Sequence, residues 1–123
     1  MEEGRVLSEK TSRALLDMME YVVQKGTGKS ARIKGFRVGG KTGTAQKVRP
    51  GGFGYWQGHY ISSFVGVAPV SNPRIAVLVV IDEPKGVYWG ETVAAPTFAR
   101  VMEDTLRYLN IAPDDIKEAK TGP

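Results

Sequence analysis

Residues 35–44, Gly-Phe-Arg-Val-Gly-Gly-Lys-Thr-Gly-Thr, contain two overlapping motifs that indicate unrelated functions. Residues 35–42 match the phosphate-loop pattern G-x-x-x-x-G-K-[ST], in which backbone amides and a lysine hold phosphate groups. Residues 41–44 read Lys-Thr-Gly-Thr, a polar segment suited to a strand that borders a reactive serine. The two interpretations require different structures around the same lysine, so the flanking sequence decides between them.

The phosphate-loop interpretation requires a buried strand before the motif and a helix directly after it. Residues 29–34 are too polar for a central parallel strand, and residues 43–52 contain too much glycine, with a proline, to continue as a helix. The apolar residues 77–81 followed by Asp82 do resemble the strand and acid that hold magnesium in nucleotide hydrolases. A small nucleotide-binding protein that uses Gly35 to Thr42 and Asp82 is therefore the alternative function.

The Lys-Thr-Gly-Thr interpretation fits its surroundings better. The lysine places a positive charge where a substrate carboxylate docks and where a proton is transferred, and threonine hydroxyls can hydrogen-bond that carboxylate. The glycine lets a peptide lie against the strand, and the next backbone amide can point at a developing oxyanion. Lys41, Thr42, Gly43 and Thr44 are therefore the candidate site residues. A second Lys-Thr-Gly, at 120–122, has no strand pattern around it and receives no role.

Composition restricts the other classes of function. The chain has 123 residues, a net charge of +4 and a pI near 9.4, but its basic residues are scattered, and we expect no nucleic-acid partner. It has no cysteine, which excludes disulfides and thiolate sites, and we predict no metal and no cofactor. The longest apolar run, residues 75–81, is too short to cross a bilayer, and the first residues show no signal peptide. Any anchor of the intact protein is expected outside this chain.

The hydrophobic pattern predicts a helix and then a strand that leads into the motif. Ser8 is a typical helix N-cap and Gly26 a typical stop, so we predict a helix over residues 9–25. The side chains expected on or near its buried face are Leu15, Met18, Met19 and Val22. Residues 26–35 are predicted to be a loop, and residues 36–38 a half-buried strand that continues into Lys-Thr-Gly.

Two further strands and a second helix are predicted after the motif. Residues 47–59 are expected to form a glycine-rich loop, residues 60–68 and 74–81 two strands, and residues 69–73 the turn between them. Pro96 opens the last helix. Its predicted buried face comprises Phe98, Val101, Met102, Thr105 and Leu109. This order of elements predicts an α+β fold with an antiparallel meander.

A wider set of residues resembles class B penicillin-binding proteins, specifically their division (septal) and sporulation members. The similarity covers about residues 5–116. Its segments are residues 26–31, 39–46, 61–69, 72–84, 93–98 and 109–114. One departure is Gly90-Glu91, where the family usually carries two glycines, and we expect it to stiffen a surface loop without affecting the chemistry. Residues 1–111 are then the C-terminal part of a transpeptidase domain, and residues 112–123 a tail or linker.

The resemblance implies a serine-type D,D-transpeptidase, which cross-links cell-wall stem peptides through an acyl-serine intermediate and is acylated by β-lactams. The implied fold is the antiparallel sheet flanked by helices of the penicillin-binding, serine β-lactamase-like transpeptidases. On this basis Lys41 and Thr44 are predicted to be catalytic, Lys41 through the serine of an S-x-N motif and Thr44 through its amide in the oxyanion hole. Thr42, Gly43 and Thr44 are predicted to bind the substrate, whose terminal carboxylate the two threonines hold.

The S-x-x-K nucleophile and the S-x-N motif of the family are missing from this sequence, because no serine here has a lysine three residues later or an asparagine two residues later. We therefore expect the chain to be inactive alone and Met1 to mark a fragment boundary. The implied partners are the missing part of the same domain, stem peptides ending in D-Ala-D-Ala, β-lactams, and other division or sporulation proteins. The implied location is the extracytoplasmic face of the bacterial cell membrane. The apolar run at residues 75–81, within the strand predicted at 74–81, also predicts self-association of the isolated chain.

Other residues have competing structural and functional interpretations. His59 is the only histidine, and without an acid in the pattern it is predicted to be a surface residue. Asp82-Glu83 is predicted to be a strand-ending turn rather than a metal site. Phe53, Tyr55 and Trp56 either line a substrate groove or form a small cluster that pins the loop, and the sequence leaves both alternatives open.

Overall fold

The computed structural model, which describes residues 4–115, contains three antiparallel strands with helices before and after them. In chain order the elements are α1 (Glu9–Lys25), a single 3₁₀ turn (Lys29–Ala31), β1 (Gly39–Val48), β2 (Tyr55–Ala68), β3 (Ile75–Asp82), α2 (Gly90–Val93) and α3 (Ala95–Tyr108). The strands lie in the order β1-β2-β3, so the predicted α+β meander is confirmed. Within the described range, no helix combines the length and the apolar character needed to cross a membrane.

The bounds of α1 are those predicted, but its predicted buried face is only partly right, because Met19 and Val22 are half-buried whereas Leu15 and Met18 are exposed. The Ser8 hydroxyl accepts a hydrogen bond from the Thr11 amide at 3.1 Å, and Gly26 follows the last turn. Leu15 and Met18, expected on or near the core side, are 42% and 63% exposed. Val23 is buried instead, and the helix backbone next to Met19 lies so close to Gly39 that a side chain there would meet Met19 Cβ at 3.2 Å.

An ion pair between α1 and the segment before β1 helps to set this rotation of the helix. The Arg37 guanidinium donates to both carboxylate oxygens of Glu20 at 2.8 Å, and only 13% of the Glu20 side chain is exposed. The hydrogen bond from Glu20 raises the pKa of Arg37. The hydrophobic pattern alone could not predict this rotation of α1, because the charged residue Glu20 occupies a position on the inner side of the helix.

The strand predicted at residues 36–38 is wrong, because β1 begins at Gly39. The backbone of Arg37 has other partners: its amide donates to Asp114 Oδ1 at 2.7 Å, and its carbonyl accepts from the Val70 amide at 2.9 Å. Residue 36 takes part only in an isolated bridge with Ile33. The Lys-Thr-Gly-Thr motif thus lies near the start of β1, with only two residues of the strand before it.

The hairpin between β1 and β2 is longer than predicted. The expected loop at 47–59 is reduced to residues 49–54, because β1 continues to Val48 and β2 starts at Tyr55. Gly51, Gly52 and Gly54 all have positive φ, which explains the glycines of the turn. Glycine-rich composition therefore marked a tight turn and an irregular strand pair rather than a long open loop.

The core lies between the sheet and α3. Phe64 of β2 and Phe98 of α3 are fully buried with ring centroids 4.7 Å apart. Phe98 and Met102 confirm part of the predicted helix face, but Val101 and Leu109 are 44% and 50% exposed. The buried stripe of α3 runs instead through Ala95, Phe98, Met102 and Leu106. The helix is rotated toward the side on which Leu106 reaches the core.

The segment after α3 is tied back to the body of the molecule. The Asp114 carboxylate accepts from the amide and hydroxyl of Ser71 at 3.2 and 2.8 Å and from the Arg37 amide. The Asp115 amide donates to the Gly35 carbonyl at 3.1 Å. Residues 112–115 of the predicted tail therefore have fixed contacts. The rest of the predicted tail, including the second Lys-Thr-Gly at 120–122, lies outside the described residues.

Candidate active site

The Lys-Thr-Gly-Thr motif lies on β1, which pairs with β2 on one side only within residues 4–115. Lys41 is opposite Val65 and Thr44 is opposite Ser62 in the antiparallel register. The Lys41 ammonium is exposed and donates to the Thr42 carbonyl at 2.9 Å and to the Thr42 hydroxyl at 3.3 Å. An edge strand with this sequence leaves backbone and side-chain groups open to an extended ligand.

A cavity of about 280 Å³ lies along the motif. Its lining combines the motif with residues from the loop after α1 and from the start of α2: Thr27, Lys41, Thr42, Gly43, Thr44, Trp89, Gly90 and Glu91. The Thr27 and Thr42 hydroxyl oxygens are 3.5 Å apart. All four predicted site residues therefore share one groove, which also contains four residues that the sequence analysis had not assigned to the site.

Small residues hold the groove walls close together. A side chain at Gly43 would meet Ser63 Oγ at 2.6 Å, and one at Gly90 would meet the Ser63 carbonyl oxygen at 2.6 Å and the Gly43 carbonyl oxygen at 3.0 Å. The Gly90 amide donates to the Thr44 hydroxyl at 3.4 Å. The segment before α2 is thus packed directly on the motif strand.

Gly90-Glu91 is not the surface loop that the sequence analysis expected, because Gly90 is buried and the pair opens α2. Gly90 contacts Thr44, and Glu91 lines the same groove as Lys41. The sequence signal was available, because the pair departs from the family pattern. Its position could not be found without the fold, since more than forty residues of chain separate it from the motif.

The phosphate-loop interpretation is contradicted by the backbone. Gly39, Gly40, Lys41 and Thr42 are in β1, where they pair with residues 64–67 of β2, and the strand continues to Val48. No helix begins directly after Thr42, so there is no helix N-terminus at the motif to provide amides for a phosphate. Asp82, the proposed magnesium ligand, accepts a hydrogen bond from Lys47 at 3.0 Å.

Three serines that could have been considered as nucleophiles have structural contacts. The Ser62 hydroxyl donates to the Tyr88 carbonyl, Ser63 Oγ lies 3.5 Å from the Gly43 carbonyl oxygen, and the Ser71 hydroxyl donates to Asp114. None of the three hydrogen-bonds a lysine or a histidine in the part of the chain that the structure describes. The arrangement can position a ligand and stabilise its charge, but it provides no activated nucleophile.

His59 has an acidic partner that the sequence did not reveal. Its Nδ1 lies 2.7 Å from Glu83 Oε1, and its ring stacks on Trp56 with centroids 3.4 Å apart. Lys47 joins the same group through Glu83 at 3.3 Å and Asp82 at 3.0 Å. β3 ends at Asp82 and Glu83 follows it, as predicted. Their contacts with Lys47 of β1 and His59 of β2 connect the ends of the three strands.

Neither alternative for the aromatic residues of the hairpin describes all of them. Phe53 and Tyr55 are 86% and 68% exposed and do not line the motif cavity. Trp56 packs on His59 in β2. Only Trp56 therefore acts as a packing residue, and it stabilises a strand rather than a loop.

The Glu83 cluster predicts a pH dependence of stability. The hydrogen bond with His59 and then that from Lys47 lower the pKa of Glu83 below its ordinary value of 4.5. A carboxyl whose pKa is lower in the folded state stabilises that state fully above its unfolded pKa, and this contribution disappears as the pH falls through the folded pKa. The melting temperature of the wild type should therefore exceed that of Glu83→Gln at about pH 6, and the difference should shrink as the pH is lowered from about 4.5. A difference that did not shrink at lower pH would contradict this assignment.

Comparison with known proteins agrees with the fold and the motif. Residues 1–103 match the model of the penicillin binding protein transpeptidase domain. The chain is 46% identical to Stage V sporulation protein D of Bacillus subtilis over 110 residues and 46% identical to peptidoglycan D,D-transpeptidase FtsI of Escherichia coli over 112 residues. Each alignment covers 89% of this chain, but only 17% and 19% of those relatives.

Solved structures show the same relationship. Penicillin binding protein 3 of Mycobacterium tuberculosis, complexed with ampicillin, superposes with a TM-score of 0.77 at 30% identity, covering 92% of this chain and 28% of that one. The resemblance to class B enzymes is thereby confirmed. The chain belongs to the penicillin-binding protein transpeptidase domain family.

Proposed function

We propose that this chain provides the K-T-G strand of a peptidoglycan D,D-transpeptidase that works through an acyl-serine intermediate and is acylated by β-lactams. The observation that carries the proposal is a groove along β1, an edge strand. Lys41, Thr42 and Thr44 of this strand line the groove. The relative named a D,D-transpeptidase and the relative solved with ampicillin support the reaction and the ligand class. The serine of S-x-x-K and the hydroxyl of S-x-N come from residues outside this sequence.

The motif binds the substrate in an orientation that suits acyl transfer. A stem peptide ending in D-Ala-D-Ala lies along β1, and Gly43 lets its backbone approach. The hydroxyls of Thr42 and Thr44 donate to the terminal carboxylate, and the Lys41 ammonium adds a positive charge nearby. Charge-assisted hydrogen bonds of this kind are stronger than neutral ones and fix the position of the carbonyl to be attacked.

The same strand takes part in the chemical step. The external serine attacks the carbonyl of the penultimate D-Ala, its proton is passed to the leaving amine, and the terminal D-Ala departs. The Thr44 amide stabilises the oxyanion of the tetrahedral intermediate. Lys41, next to the external S-x-N hydroxyl, supports the proton transfer. An amine of a second stem peptide then attacks the acyl-serine and releases the enzyme.

The cellular setting follows from the same proposal. Peptidoglycan is cross-linked outside the cytoplasm, so the groove faces the extracytoplasmic side of the cell membrane, with any anchor elsewhere in the protein. The partners of the chain are the serine-bearing part of its domain and, through the whole protein, other division or sporulation proteins.

A comparison of the isolated chain with the intact protein tests the proposal. We expect a fluorescent penicillin to label the intact protein, with intact mass showing one adduct, and to leave the isolated chain unmodified because no serine here has an activating lysine. An intact protein without any adduct would overturn the proposed function. An adduct on a serine of the isolated chain would overturn the assignment of the nucleophile to an external segment.

A further inference from the structure

Glu91 places a carboxylate on the wall of the substrate groove. It lies in the first turn of α2, is exposed, and lines the cavity that also contains Lys41 and Thr44. Within residues 4–115 the Glu91 carboxylate has no hydrogen bond or ion pair with another side chain. No side chain in that range therefore neutralises a charge on Glu91, which can act on a ligand that enters the groove.

The position of Glu91 is fixed by its neighbours. Gly90 is buried, its amide donates to the Thr44 hydroxyl, and its carbonyl accepts from the Ala94 amide at 2.9 Å. The amides of Thr92 and Val93 both donate to the Trp89 carbonyl, at 2.9 and 3.1 Å. The backbone on both sides of Glu91 is thus hydrogen-bonded, which fixes the backbone of Glu91 beside the motif strand.

Trp89 adds a second group that attracts positive charge. Its side chain is 54% exposed and lines the same cavity. The ring is supported by Tyr88, with centroids 4.7 Å apart, and Tyr88 in turn stacks on Tyr60 at 4.0 Å. An indole that is held in place and still open to solvent is the side chain that binds cations best through its ring face.

The groove therefore carries opposite charges, Lys41 on the β1 strand and Glu91 at the α2 end. The Lys41 ammonium attracts the carboxylate of a ligand, whereas Glu91 attracts a positive group and repels a negative one. A ligand with charges of both signs is oriented by this pattern, and a ligand with two negative charges is disfavoured.

We propose that Glu91, together with Trp89, forms a cation-selective subsite that favours stem peptides and β-lactams with an ammonium group at the α2 end of the groove. This inference rests on the proposed function and assigns a substrate preference to the same site. Of its two residues, Glu91 stands where the resemblance to the family leads us to expect a glycine.

Three penicillins that differ in charge at a single side-chain carbon provide the probe. Ampicillin has an ammonium there, carbenicillin a carboxylate, and benzylpenicillin neither. The measured quantity is the second-order acylation rate constant of the intact protein for each, with the ampicillin-to-carbenicillin ratio as readout. In Glu91→Gln this ratio should fall about tenfold, because the rate constant for ampicillin should fall about threefold and that for carbenicillin should rise about threefold. Changes of this size are expected for unit charges several ångströms apart near water. Added salt should lower the wild-type ratio and leave that of the variant nearly unchanged.

Glu103→Gln is the matched control, because it removes the same charge from α3, where Glu103 pairs with Arg107 at 2.9 Å and does not line the groove. Its ratio should remain that of the wild type, and Glu91→Asp should retain part of the preference. A ratio in Glu91→Gln within about twofold of the wild type, with all three penicillins still reacting, would overturn the subsite alone. Failure of all three penicillins to acylate the wild-type protein would instead overturn the proposed function.

Discussion

Replacing Lys41 with alanine in the intact protein should lower the acylation rate constant for benzylpenicillin by about a hundredfold or more, equivalent to about 2.7 kcal/mol of transition-state stabilisation. Preorganised donors aimed at developing charge typically contribute effects of this size. The Lys41 ammonium is the cationic side chain on the groove wall, and no residue lining that cavity could replace its charge.

The fold should tolerate this substitution. Lys41 is exposed, and within residues 4–115 its side chain hydrogen-bonds only to the neighbouring Thr42. Truncation therefore leaves no buried group without a partner, and the melting temperature should change little. A large loss of acylation with an intact fold distinguishes a role in the reaction from a role in stability.

Lys47→Ala is the matched control for the substitution. Lys47 is on the same strand, but it contacts Asp82 and Glu83 at the far end of the sheet and does not line the groove. We expect Lys47→Ala to lower the melting temperature slightly and to leave acylation close to that of the wild type. If Lys41→Ala stayed within about tenfold of the wild type, a loss of only about 1.4 kcal/mol, the catalytic role of Lys41 would be refuted.

The order of the elements and the place of the motif could be predicted because they depend on local signals. Ser8 and Gly26 bound α1 through backbone capping, and the apolar, β-branched residues of β3 leave few alternatives to a strand. Lys41 to Thr44 lie in one groove because a short motif on one strand needs no tertiary information to stay together. Local chemistry was sufficient for these features.

The features that the sequence could not predict depend on contacts between distant segments. Arg37 does not join the strand, because its backbone bonds to Asp114 and Val70. The rotation of α1 depends on an ion pair of Glu20 with Arg37, and the acidic partner of His59 comes from the end of another strand. Each of these cases requires a pairing across the fold, which hydrophobic periodicity does not encode.

Glu91 illustrates the same limit for function. Its departure from the family pattern was visible in the sequence, but a glutamate near a turn has no evident role until its neighbours are known. The contact of Gly90 with Thr44 brings it to the groove. Under our proposal, a position that affects specificity thus lies far in the sequence from the Lys-Thr-Gly-Thr motif.

The isolated chain should self-associate at concentrations of tens of micromolar, because β3 presents an unprotected edge. β3 pairs only with β2 within the described residues, and residues 75–81 contain neither proline nor charge. One face of the adjoining strands is also apolar and open, with Leu78 at 63%, Val80 at 55% and Val65 at 41% exposure. Unpaired strand edges with apolar side chains pair readily with other chains.

A lysine on this face should restore the monomer. Leu78→Lys places a charge on a largely exposed position, so the cost to the fold is small, whereas the cost of burying that charge between two chains is several times larger. Val101→Lys is the matched control, because Val101 is a valine on α3 with 44% exposure and lies away from the strand edge. Sedimentation velocity should show dimers or larger species for the wild type and Val101→Lys, and monomers for Leu78→Lys.

Hydrogen exchange identifies the edge that is used. By the resemblance to the family, strands from an earlier part of the same domain are expected beside β3, so we expect self-association of the isolated chain to use the edge that those strands would cover. Amides of residues 75–82 should be protected in the self-associated wild type and should exchange faster in the Leu78→Lys monomer. Addition of the serine-bearing part of the domain should then dissociate the wild-type species by competing for β3. A wild-type chain that sediments as a monomer, or a dimer that Leu78→Lys leaves intact, would show that the β3 edge is not the docking surface.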